Sequence, residues 1–193
     1  MKTKKVSVVI TVCMFTASLF TTAFAQKDSK KTAIKENEKK FETMKMEKDA
    51  EFVVKAYDAS RFEVMAGELA KTKATSQQVK DLAMQVVKDH SMINSELKSL
   101  ASKNNITVPE KISDKLQKKY DNLNEKTSED FDKDYLKDVV REHKDEIDLF
   151  EKQAEKGEME SIKSWASGKI PTLQKHLEKA ESVLDNIREV SVK

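Results

Sequence analysis

His90, His143, His176 and Glu63 are the residues of this chain whose types and spacing could do chemistry. The three imidazoles are the chain's full complement of histidine, and each interrupts an apolar stripe that recurs at helical intervals. Val86 and Ile93 flank His90, Val139 and Ile147 flank His143, and Leu173 and Ala180 flank His176. Glu63 interrupts a stripe of small residues that includes Ala56, Ala59, Ala66 and Ala70. Four helices that each turn one such group inward can bring all four to one level of a shared core. Neutral imidazoles with one carboxylate suit zinc, iron or copper better than calcium or magnesium. The first expectation is nevertheless a buried polar network, in which each imidazole is satisfied by Glu63, Tyr57, Asn94 or a backbone carbonyl. A metal site built from Glu63, His90, His143 and His176 is the alternative, with Glu146 a further candidate at the edge of its face.

Other chemistry finds little support. The residues three before the histidines are Val87, Val140 and Leu173. The Glu-x-x-His pairs of di-iron carboxylate bundles are therefore missing, which counts against ferroxidase or oxygenase activity. Serine-nucleophile, phosphate-loop and dinucleotide motifs are absent. The scattered methionines, Trp165, Tyr120 and Tyr135 read as packing residues.

Four long amphipathic segments must position the cluster. The first spans 47–73 with Phe52, Ala56, Glu63, Ala66 and Ala70 inward. The second opens at Thr75 or Ser76, where Thr75 and Gln78 have capping-box spacing, and runs to about 102. A short, polar helix over 109–125 is expected to cross the end of the bundle. The third long helix covers 128–156, with Glu129 and Asp130 at its positive end. The fourth starts near 159 and is expected to be broken or kinked by Gly168 and Pro171. Three Gly and two Pro in 193 residues leave little room for the turns of a β-fold. The fold class expected is all-α: an up-down four-helix bundle, with an extra short helix between helices two and three and a kinked last helix.

The N-terminus reads as an export signal: Lys2, Lys4 and Lys5, then an apolar run from Val6, then Ala23-Phe24-Ala25. Cleavage is expected before Gln26, an uncleaved anchor being the alternative, and no membrane span is expected after cleavage. Cys13, the sole cysteine, lies in that leader, so disulfides and thiol catalysis are excluded from the mature chain. Losing the leader's three lysines takes the net charge from +2 to −1, which gives no reason to expect nucleic acid as a partner. Residues 26–46 are lysine-rich and read as a flexible tether that turns helical toward its end, and 47–190 as the folded domain. Val87-Lys88-Asp89-His90 is echoed by Val140-Arg141-Glu142-His143.

The order of these residues resembles a bacterial family, the domain of unknown function 4142. The resemblance is carried by Phe52-Val53-x-x-Ala56, Glu63-Val64, Gly67-x-Leu69-Ala70, Val79-Lys80 and Val86-Val87-x-Asp89-His90. It continues through Phe131-Asp132-x-x-Tyr135, Val139-Val140-x-x-His143 and Ile170-Pro171-Thr172-Leu173-x-x-His176-Leu177-x-x-Ala180. It covers about residues 50–187. Ala59-Ser60 stands where the family often has a glycine pair, and Ile170 where it often has leucine. The resemblance implies an exported protein, periplasmic or associated with the outer membrane, with a ferritin-like helical bundle. It implies no established activity. The function expected is a non-enzymatic binding or envelope-associated module, with metal binding through the Glu/His cluster as the alternative.

Overall fold

Apolar residues at three- and four-residue steps give the long helices of the described residues. A computed structural model describes residues 28–42 and 46–190, and in them the protein has six helices and no strand. These are α1 (Ser29–Phe41), α2 (Glu47–Lys73), α3 (Gln77–Lys103), α4 (Asp114–Glu125), α5 (Ser128–Lys156) and α6 (Glu160–Val190). The leader over 1–25 lies outside the described residues. None of the described helices is long and apolar enough to cross a membrane.

Short links force α2 against α3 and α5 against α6 as antiparallel hairpins. Contacts between α2 and α5 and between α3 and α6 join the two hairpins. At Gly67 a Cβ would lie 2.6 Å from Val87 Cγ2 of α3, so glycine permits the close approach of α2 and α3.

The core falls into two apolar clusters. One contains Phe62, Ala66, Val86, Phe131, Val139 and Ala180. The other contains Phe52, Ala56, Ile93, Leu97, Phe150 and Leu173. Both α3 and α6 pass from one cluster to the other at a buried histidine, as α5 does through Glu142, His143 and Glu146. The polar groups thus form a layer between two apolar halves.

Three buried aspartates tie the helices together by accepting from backbone N–H groups at helix starts, which lack intrahelical partners. Asp132 of α5 accepts from Thr75 N at 3.0 Å, Ser76 N at 2.8 Å and Thr75 Oγ1 at 2.6 Å. The capping box expected from Thr75 and Gln78 is replaced by this contact. Asp49 of α2 accepts from Met159 N at 2.6 Å and Gln153 Nε2 at 2.8 Å. Asp58 accepts from Ser113 N at 2.7 Å and pairs with Lys30 at 3.0 Å.

Three expectations are corrected. Residues 29–41 are helix, not flexible tether. Ala33, Asn37 and Phe41 are buried, and the Asn37 amide clamps Thr107 through Nδ2 to O and Oδ1 to N, both at 2.8 Å. Secondly, α4 does not cross the end of the bundle. It lies along α2 and α5, with Ser113 at Asp58, Lys119 over the Phe62 ring, and Asn124 at Lys73, so that Leu116 and Leu123 face the core. Lastly, α6 is unbroken, running as one helix through Gly168 and Pro171, so the break expected there does not occur. Proline removes one backbone donor, but burial of Ile162, Ala166, Leu173 and Ala180 on both sides of it holds the helix together.

Candidate metal centre

Because α3, α5 and α6 each present a histidine to the layer between the apolar halves, the three imidazoles meet. His143 Nε2 lies 3.3 Å from His90 Nε2 and 3.2 Å from His176 Nδ1. One nitrogen from each ring falls within 4.8 Å of the other two, a spacing compatible with a shared metal ion. All three side chains are buried.

The outward nitrogens have separate partners. His90 Nδ1 lies 3.1 Å from Ser60 Oγ, whose own proton goes to the His90 carbonyl at 3.2 Å. His143 Nδ1 donates to the Val139 carbonyl at 2.9 Å. His176 Nε2 donates to Asp89 Oδ2 at 2.9 Å, and that oxygen also receives Gln85 Nε2 at 2.6 Å. A neutral imidazole carries one proton. With that proton on the outward nitrogen of each ring, all three inward nitrogens are bare lone pairs. If Ser60 instead donates to His90 Nδ1, the His90 proton moves inward to serve His143, and His176 Nδ1 still lacks a donor.

The rings are held neutral. Burial, then the neighbouring His143 and His176, push His90 well below the ordinary histidine value. Burial and His176 bring His143 down to about 3. Burial also lowers His176, against the raising influence of Asp89.

Glu63 stands apart from this trio. Its Oε1 is 3.7 Å from His143 Nδ1, on the outward side of that ring. The expected pairing of Glu63 with an imidazole is therefore a loose contact, since the His143 proton is directed to Val139. Neither Glu63 oxygen has a hydrogen-bond partner, nor has Glu146 Oε2 or the Tyr135 hydroxyl. Burial, then the charge of Glu146, raises Glu63 well above the usual carboxylate range, and burial with Glu142 does the same to Glu146. Tyr57 and Asn94, offered as partners for the imidazoles, are not the groups that bond them.

Ser60 and Asp89 went unread as site residues. A polar side chain three before Glu63 and an acid immediately before His90 are ordinary surface residues in a helical pattern. One signal pointed to Asp89: the echo of Asp89-His90 in Glu142-His143, which puts an acid beside two of the three histidines.

The fold and site define an all-helical protein with a buried three-imidazole cluster in its core. The family model described as Domain of unknown function (DUF4142) matches residues 25–183, and the chain belongs to that family. No curated protein and no solved structure matches the chain.

Proposed function

We propose that this protein binds a first-row transition metal through His90, His143 and His176. The observation that carries the reading is the set of acceptors behind the rings. Val139 and Asp89 accept the protons of His143 and His176, so the inward lone pairs of these two rings face each other at 3.2 Å, and with Ser60 accepting from His90 the third inward nitrogen is bare as well. Facing lone pairs in a buried site repel, and a cation relieves the repulsion. Oriented imidazoles with a carboxylate or carbonyl behind them are the usual surroundings of metal-ligating histidines. Three nitrogen donors favour zinc, copper or iron over magnesium and calcium, and leave a coordination position for water or another ligand. Glu63 acts from behind His143 in this reading, outside the trio.

Elemental analysis of untagged protein tests it. Stoichiometric metal in the wild type, lost in both His143→Ala and His90→Gln, is the expected result. A folded protein that neither retains nor takes up zinc, copper or iron returns the cluster to a polar network and the protein to a binding module without metal.

The finer architecture proposed is a ferritin-like up-down bundle of α2, α3, α5 and α6, supported by the two hairpins and the contacts that join them. Export is proposed from the leader alone: residues 1–25 are removed and the mature chain acts in the periplasm or at the outer membrane. Intact mass of exported material is expected to begin at Gln26, and retention of Met1 would refute processing.

A further inference from the structure

The groups behind His143 are not explained by the three-histidine cluster. Glu63 is 1% exposed and Glu146 is 3% exposed, yet both Glu63 oxygens and Glu146 Oε2 lack any donor. Such atoms are rare in a folded interior, because an unpaired buried carboxylate costs far more than a satisfied one. The Tyr135 hydroxyl, on a residue with 0% exposure, is unpaired as well, and the charge of Glu63 acts on it. Among the described residues no lysine or arginine pairs with these oxygens. Lys119, whose charge reaches Glu63, is bonded to Glu142 and reaches Asp138 at 3.9 Å. His143 turns its proton to Val139 instead.

A path from solvent leads to this place. A cavity of about 550 Å³ is lined by Glu142, Asp145, Glu146 and Asp148 together with Lys30, Lys55, Lys115 and Lys152, so one of the unpaired carboxylates borders an opening that carries both signs of charge.

We infer that Glu63 and Glu146 form a second cation site, for a divalent ion that prefers oxygen donors, manganese(II) or iron(II). Carboxylate oxygens are hard donors and suit such ions better than they suit copper. The two sites lie on opposite nitrogens of the His143 ring: the trio on Nε2, the carboxylates on the side of Nδ1. The carboxylate site does not depend on a metal at the imidazoles.

Manganese(II) titration of the full chain, followed by the paramagnetic resonance signal of the free ion, tests this. Wild type and His176→Gln are expected to bind one equivalent with similar affinity. Glu63→Gln and Glu146→Gln, which keep the side-chain shape, are each expected to bind at least tenfold more weakly, with circular dichroism unchanged. Three results would overturn the inference. Folded wild type that binds no manganese at pH 8 would assign the pair a shared proton in place of a cation. Unchanged affinity in both glutamine variants would place the ion elsewhere. Equal loss in His176→Gln would put the manganese in the imidazole cluster, leaving the reading of that cluster standing and this one refuted.

Discussion

Asp89 Oδ2 lies 2.9 Å from His176 Nε2, so the residue that orients one imidazole of the cluster is the chain neighbour of another, His90. A single turn of α3 supplies both a metal-ligand candidate and the acceptor that fixes the proton of a ligand candidate on α6. Breaking that contact changes the cluster without removing a ring.

Asp89→Asn tests the coupling. The amide can still touch His176 Nε2 but no longer holds the proton there by charge. Zinc affinity is expected to fall about 10–100-fold, the range seen when such outer partners are removed. Competition against a chromophoric chelator measures it. Because asparagine keeps the side-chain shape and can still bond His176, the metal-free melting temperature should change less than when an imidazole is removed. A large loss of stability with unchanged affinity would make Asp89 structural only.

Metal should also stabilise the fold. Free zinc at about 100 times its dissociation constant contributes about 2.7 kcal/mol to a protein that binds it only when folded. Thermal melts of wild type are expected to rise with zinc concentration. His90→Gln and His143→Ala should melt at temperatures independent of zinc. A shift of equal size in these variants would locate the binding elsewhere.

The helices were legible because their apolar spacing is long and regular. Residues 47–73 match α2 end to end. The meeting of three histidines was legible for the same reason, since helical phase fixes which residues share a face. What stayed hidden depends on distant partners. The segment around Asn37 carries only Ala33 and Phe41 as apolar buried neighbours, and its burial is set by Thr107, 70 residues away. Asp49, Asp58 and Asp132 resemble surface acids until another helix brings its free N–H groups to them. Likewise, α4 shows its apolar stripe in sequence but not the groove between α2 and α5 that receives it.

Asp132 offers a test of those buried caps. Asp132→Ala strands Thr75 N and Ser76 N at the start of α3. A loss on the order of 1–3 kcal/mol is expected from unpaired buried donors. Asp130→Ala removes an exposed acid from the first turn of the same helix and should cost under about 1 kcal/mol. Denaturant melts at neutral pH compare the two. Equal losses would mean that Asp132 acts only through the helix dipole.

The pH dependence of the metal-free protein should show two opposed effects. His90, His143 and His176 titrate lower when folded than when unfolded. As pH falls below about 6.5, the unfolded chain takes up protons that the folded one refuses. Stability from the neutral rings is thus full above about 6.5 and is lost toward about 3, where His143 protonates. Each ring contributes at most about 1.4 kcal/mol per pH unit across its window. Glu63 and Glu146 act in reverse, because their folded values are raised. Their contribution is present below about 4.5 and is lost as pH rises through the folded value. Glu63→Gln removes one carboxyl group and leaves the rings in place. Metal-free Glu63→Gln is therefore expected to gain stability relative to wild type at pH 8, with the acid limb between 6.5 and 3 retained. Urea melts across pH 3–9 in the presence of chelator measure both limbs. A variant less stable than wild type at pH 8 would show that Glu63 is held by a partner as a charged group, and that its oxygens are not unpaired.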